Sequence, residues 1–399
     1  METIDIEIRT IDQEVQERIV RPDLESRKVS INSHTEFTFH KRLETDSAGN
    51  CFVEINNETV KAKKEFSGLM ADALGSPIGS YSLSDVYILG RPGIIVDLNS
   101  NVCWIGYSLG WNLYILKRFV DRNNLGKVVD DRILRVNRKL LEQVDEELNE
   151  QNVESAHLIS APGFGVYGHW LVDTVSRLHF LSKRCNPSHS RICCPPMAPW
   201  GIQMCDIFGL DLSDHIRLSE EKAIRVRNLD LFSCIKSSRV LDSASANAAW
   251  DVLRGAFSTK DARDKLAPVK IYVSRARLGS DRKMQNAIDI EGYFRKLGWH
   301  VIHPEELSLQ EQATIFSRAT VIVGDDGSAL HNSIYSRPGT TILCLDFHRE
   351  NMLHASFANA LEHKLAYLRC DKLEDIAGRV QWKMPISRLH EAISLIEAN

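Results

Sequence analysis

Two groups of residues in this sequence have the types and the spacing for chemistry. The first lies in "GFGVYGHWLVD", residues 163–173. His169 and Asp173 stand four apart, so on a helix they share one face. A carboxylate beside an imidazole fixes its tautomer and raises its basicity, which suits a general base. The same spacing also serves a structural His–Asp capping pair, and residue types alone leave both readings open. Gly163, Gly165 and Gly168 spell G-x-G-x-x-G. That pattern cradles a dinucleotide pyrophosphate when an acidic residue follows about 20 positions on, at the end of the next strand. The corresponding stretch here is "KRCNPSHS", which offers no carboxylate. Pro162 precedes the first glycine and the bulky Trp170 follows the last. The turn is therefore read as serving "YGHWLVD" rather than a nicotinamide or flavin, with an NAD(P)-dependent enzyme kept as the lesser alternative.

The second group stands at the ends of strands in the C-terminal half, where open parallel sheets bind their ligands. Arg275, Arg277, Arg282 and Lys283 follow "KIYVS", His303 follows "WHVI", "DDGSALHN" follows "TVIVG", and His348 and Arg349 follow "TTILCLDF". Gly327 and Ser328 open a helix directly after a strand, and the free N–H groups of a helix start suit a phosphate. Arginine grips phosphate oxygens in pairs. Arg275, Arg277 and that helix start together suggest a diphosphate site. The competing readings are a solvated arginine loop and a plain turn. Asp325 and Asp326 would repel a bare anion and fit ribose, sugar or reacting hydroxyls better.

The elements that must position these residues follow from periodicity. "SDVYILGRPGIIVDLNSNVCWIGYS" reads as three strands broken by turns at Arg91–Gly93 and Asn99–Asn101. "DDRILRVNRKLLEQVDEELNEQ" reads as a helix, with Ile133, Leu134, Leu140, Leu141, Val144 and Leu148 mostly on one face. "SAHLIS" is a strand leading into the glycine turn, and "HWLVDTVSRLHFLSK" a helix leading out of it. From residue 268 strand and helix alternate: "PVKIYVS", "NAIDIEGYFRKLG" closed by Gly298, "WHVIHP", "SLQEQATIFSRA" with the Ser308–Glu311 capping box, "TVIVG", "SALHNSIYS" and "TTILCLDF". Such alternation predicts a parallel, doubly wound α/β sheet. A final amphipathic helix, "PISRLHEAISLIEA", places Ile386, Leu389, Ile393 and Ile396 on one face, as core packing requires. The expected domains are a polar arm of short strands over 1–75, an α/β domain over 76–245, a second over 246–385, and the helix over 386–399.

Composition sets the outer bounds. The 399 residues are 43% hydrophobic and 26% charged, enough for two to three globular domains. A net charge of −4 carries no basic bias toward nucleic acid. "METIDIEIRT" lacks the features of a secretory signal, and no run reaches the length of a membrane span, so a cytoplasmic chain is expected. A peripheral contact with the inner membrane face and pairing of copies both remain compatible with it. The nine cysteines include no C-x-x-C pair, so neither a zinc site nor a disulfide framework is expected. The absence of a G-x-S-x-G elbow argues against a Ser–His–Asp hydrolase.

With these residues in view, positions 80–375 or so resemble glycosyltransferase family 61. The family's Y-x-H-W-[LF]-x-D is matched by Tyr167, His169, Trp170, Leu171 and Asp173. Its strand ending in S-R, followed by a basic residue and Asn, is matched by Ser274, Arg275, Lys283 and Asn286. Ser308, Leu309, Glu311, Gln312, Phe316, Ser317 and Ala319 match a third motif. In a fourth, G-x-H-G-A-x-L-x-N, Gly324, Gly327, Leu330 and Asn332 match, while Asp326 replaces His and Ser328 replaces Ala.

The resemblance implies two Rossmann-like domains facing a cleft, the GT-B arrangement. It implies inverting transfer from a nucleotide-diphosphate sugar to a glycan or polysaccharide acceptor, without a cofactor or an obligatory metal. In bacterial relatives that chemistry builds capsular or other surface polysaccharide. The family motifs place Arg275, Lys283, Asn286, Gly324, Gly327 and Asn332 in the donor site, and the strand-end reading adds Arg277, Asp325 and Ser328. His169 is the base, Asp173 its orienting partner, and Asp326 the substitute base. Tyr167, Trp170 and His303 are expected on the acceptor side or in the cleft. The Asp326 departure leaves a second reading, a non-catalytic binding protein of the same build.

Overall fold

A computed structural model describes residues 3–9, 27–28, 52–53, 77–78, 80–91, 93–98, 101–104, 109–122, 124, 126–130, 132–137, 153–160, 163–184, 191–219, 223–232, 236–237, 240–241, 243–257, 264–279, 282–346, 352–373 and 380–398. The chain divides into two compact units. Unit 1 holds residues 1–29 and 74–238, and unit 2 holds residues 30–73 and 239–399. Both are mixed α/β with sheets rich in parallel pairs.

Unit 1 is built on a ten-stranded sheet. At one side the strands Ile216–Arg217, Arg191–Cys194, Ser155–Leu158 and Ala223–Phe232 run parallel. Ala223–Phe232 then pairs antiparallel with Ser80–Leu89, which leads through two hairpins to Ile94–Asp97 and Val102–Trp104. These are the three strands expected from the sequence. Gly90, Gly93 and Asn101 take positive φ in the intervening turns, as tight hairpin turns demand.

One expectation is overturned. Ile133–Asn137, the start of the expected helix over 130–151, is a strand, paired antiparallel with both Thr3–Arg9 and Gly126–Val128. Asp130 forms an Asx turn, its Oδ1 accepting the N–H of Arg132 and of Ile133 at 2.8 and 2.9 Å. Leu134 and Val136 then alternate inward onto Ile6 and Ile8, so cross-strand packing overrides the helical period. The rest of that expected helix lies outside the described residues, as do most of residues 1–75.

Unit 2 carries a six-stranded, all-parallel sheet in the order His300–Ile302, Val269–Val273, Ala319–Asp325, Thr341–Asp346, Lys364–Arg369 and Phe52–Val53. The alternation read from residue 268 onward is present, with the Ser308–Glu311 capping box formed and Gly298 at φ 76°. "SALHNSIYS" is a 3-10 helix, Ser328–Tyr335. The terminal helix, Ile386–Ala398, packs Leu389, Ala392, Ile393 and Ile396 into the same core as Tyr272 and Phe294. Ile386 departs from the expected apolar face and is exposed. Among the described residues no helix is long and apolar enough to cross a membrane. The described cysteines are buried free thiols.

Candidate active site

In unit 1 the glycine turn follows the Ser155–Leu158 strand and opens a helix that returns to the parallel Arg191–Cys194 strand. This is a strand–helix–strand unit, yet the second strand ends in Cys194, Pro195 and Pro196, with no acid for a ribose. The glycine serves another group. Gly163 has φ 86°, and a Cβ there would stand 2.7 Å from Cγ of the His169 ring. The imidazole packs directly on the turn, over the face a pyrophosphate would need.

The helix itself is irregular. A π-helical segment, Trp170–Thr174, separates Tyr167–His169 from the regular helix Val175–Arg184. Such insertions recur at functional sites because they re-aim side chains. His169 Nδ1 meets Asp173 Oδ2 at 2.8 Å, with the His side chain 43% exposed and the Asp 9%. With Nδ1–H donated to the carboxylate, the lone pair resides on Nε2, the nitrogen left for proton transfer. Four residues on, buried Arg177 donates to the Ser160 carbonyl and ties this helix to the end of the preceding strand.

Trp170 is fully buried and donates its indole N–H to the Phe164 carbonyl. It is a packing residue of the turn, and Gly201 gives its ring room, since a Cβ there would meet it at 2.9 Å. Tyr167 is half-buried and set edge-on to Trp200 at 5.5 Å. Trp200 was not singled out from sequence, because a lone Trp after Pro carries no pattern.

In unit 2 the ends of two adjacent strands, Val269–Val273 and Ala319–Asp325, bring together Arg275, Gly324, Asp325, Asp326, Gly327 and Ser328. Gly324 is pinched between Leu330 and Val273, where a Cβ would stand 2.9 and 3.0 Å from them. Gly327 lies under Arg275, and a Cβ there would approach the guanidinium Nη1 to 2.2 Å. The guanidinium thus rests on the backbone that opens the Ser328–Tyr335 helix, an arrangement that directs a cation and free N–H groups to one place.

The two carboxylates that should repel an anion are turned inward. Asp325 is buried, which raises its carboxyl to about 7, while nearby Arg275 and the Tyr272 hydroxyl draw it down. Asp326 is 1% exposed and meets His354 Nε2 at 2.9 Å. His354 comes from the helix Met352–Ala360 and could not be assigned to Asp326 by any sequence spacing.

The other expected donor residues are engaged elsewhere. Arg277 pairs with Glu306 at 2.6 Å on the surface. Asn286 bonds the Met384 backbone in both directions, at 2.8 and 3.1 Å. Asn332 is buried and donates to Gln312 at 2.8 Å. Lys283 lies on the Arg282–Met284 strand, and its side chain is outside the described residues, as are His348 and Arg349.

His303, expected on the acceptor side or in the cleft, lies in unit 2 and is buried against Glu291, Nε2 to Oε1 3.3 Å. Glu291 also accepts from Ser274 Oγ at 2.8 Å and Arg295 at 2.6 Å. Burial raises its carboxyl, but Ser274, Arg295 and His303 outweigh this and hold it below the usual range. That network anchors Ser274, the residue before Arg275.

No curated protein matches the chain. The family model described as Glycosyltransferase 61 matches residues 167–343, a span that starts at Tyr167 and ends inside the Thr341–Asp346 strand. It therefore covers both the His169–Asp173 pair and the Arg275–Gly327 contact, and over that span the chain matches the glycosyltransferase 61 family.

Proposed function

We propose that this chain is an inverting glycosyltransferase that moves a sugar from a nucleoside-diphosphate donor to a hydroxyl of a glycan, in the building of surface polysaccharide. Unit 1 serves the acceptor and unit 2 the donor. The single observation that carries the donor assignment is the Arg275 guanidinium resting on Gly327. A diphosphate at the start of the Ser328–Tyr335 helix meets that cation and the helix N–H groups. Asp325 and Asp326 do not oppose it, since burial keeps the first partly protonated at neutral pH and His354 takes up the second.

In the transfer step His169 Nε2 accepts the proton of the acceptor hydroxyl. The acceptor oxygen bonds the anomeric carbon as the bond from that carbon to the phosphate oxygen breaks. Charge grows on the departing diphosphate, where Arg275 and the helix start stabilise it. Asp173 holds the imidazolium that forms. Asp326, buried and paired, is a supporting residue of the donor turn rather than a base.

Calorimetric titration of UDP, GDP, CDP and NAD into the protein and into Arg275→Ala tests this reading. Binding of one diphosphate, weakened in the variant, is expected. Binding of NAD alone would establish the dinucleotide alternative. Diphosphate binding without any turnover of the sugar donor would make the chain a binding protein.

A further inference from the structure

We infer that Asp326, Cys344 and His354 form a metal site of the zinc class inside unit 2. All three side chains are buried, and their candidate ligand atoms lie within 4.8 Å of one another. The set draws on three elements distant in sequence. Cys344 stands within the Thr341–Asp346 strand, in register with Gly324. Asp326 follows the neighbouring strand, with its N–H donated to the Leu345 carbonyl at 3.1 Å. His354 arrives from the Met352–Ala360 helix, with its ring edge-on to His331 at 5.3 Å, and His331 in turn stacks on Phe357 at 4.6 Å.

A hydrogen-bonded Asp326–His354 pair accounts for two of these residues. It does not account for a sulfur brought within reach of both. Imidazole nitrogen, thiolate sulfur and carboxylate oxygen together make a borderline-soft donor set, which suits zinc and not magnesium or calcium. Zinc bonds of about 2.0–2.3 Å put tetrahedral ligand atoms roughly 3.3–3.7 Å apart. The observed separations, 2.9 Å for the His–Asp pair and at most 4.8 Å overall, bracket that spacing. One thiolate and one carboxylate also balance a divalent ion, so the buried site is neutral, as a dry interior requires. Binding converts the Cys344 thiol to thiolate and releases its proton to solvent. Three protein ligands leave a fourth position for water.

The ligands sit on one strand of the parallel sheet, just past the end of its neighbour and on a packed helix, so the geometry is set by the core. The ion would tie down Asp326, the residue immediately before the Gly327 turn. The inference stands whether or not the chain transfers sugars.

The test uses the full chain purified without a metal-binding tag. Elemental analysis should find about one zinc ion per chain in the wild type, lost in Cys344→Ser and in His354→Ala. Chelation should lower the melting temperature of the wild type and leave Cys344→Ser unmoved. Cobalt(II) reconstitution should give tetrahedral visible bands with a sulfur-to-cobalt charge-transfer band, the latter absent in Cys344→Ser. If Cys344→Ser fails to fold, the wild-type cobalt spectrum decides alone. A wild-type chain with under about a tenth of an ion, no cobalt bands and no response to chelator would overturn the inference. The cluster would then be a hydrogen-bonded part of the core.

Discussion

Gly327→Ala separates the donor site from the fold that carries it. The backbone at Gly327 is extended, with φ 168° and ψ 176°, so alanine adopts it without strain. The added Cβ stands 2.2 Å from Arg275 Nη1 and 3.1 Å from Cζ. The clash is with the far end of a flexible side chain, so the guanidinium retreats by roughly 1 Å while the core stays put. Stability should change by no more than about 0.5 kcal/mol, and the loss of a glycine from the unfolded chain acts in the stabilising direction. A displaced guanidinium forfeits its charge-assisted bonds to a phosphate, about 1.5–3 kcal/mol. Calorimetry should therefore show diphosphate affinity falling about 10- to 150-fold in Gly327→Ala. Arg275→Ala should lose a similar amount, and the double variant little more, because both act on one contact. Unchanged affinity in Gly327→Ala beside weakened Arg275→Ala would refute the idea that the guanidinium must rest on that turn. A large fall in melting temperature would refute the separation of site from fold.

Asp325 has a pH signature. Its carboxyl is raised by burial to about 7, from 3.8 in the unfolded chain, so its contribution to stability is fully present below the lower value and lost as pH rises through the higher. Between pH 5 and 8 the wild type should lose on the order of 2–3 kcal/mol relative to Asp325→Asn in urea melts, and parallel profiles would show that the carboxyl is not so held. Gly163→Ala attacks the other unit, since φ 86° strains alanine and its Cβ pushes the His169 ring from 2.7 Å. A loss of about 1–3 kcal/mol in stability with a fall of about 100-fold in turnover is expected, and turnover at wild-type level would mean the ring position is not critical.

The second half of the chain was legible because its periods switch cleanly. The run "TVIVG" cannot be amphipathic, and the Ser308–Glu311 box marks a helix start on its own. "ILRVN" reads as helix because Ile133, Leu134 and the leucines that follow fit a helical stripe, and pairing with the Thr3–Arg9 and Gly126–Val128 strands decides otherwise. At the site, His169 and Asp173 were legible because four residues of helix bring them together. Gly163 carried a glycine signal whose reason, the imidazole lying on it, is tertiary. His354, Cys344 and Glu291 were invisible, because each meets its partner across strands or helices that no local spacing encodes. Arg277 and Asn286 sit at the right strand ends, yet Glu306 and Met384 engage them.

The account rests on glycosyl transfer with His169 as base. The most direct test is release of nucleoside diphosphate from UDP-, GDP- and CDP-linked sugars, followed for the wild type and His169→Ala with glycan acceptor mixtures and with water alone. The account predicts turnover of one donor class, lowered at least about 100-fold in His169→Ala while the diphosphate binds both proteins equally. Equal turnover by the two proteins, or none by the wild type on any donor, would contradict it.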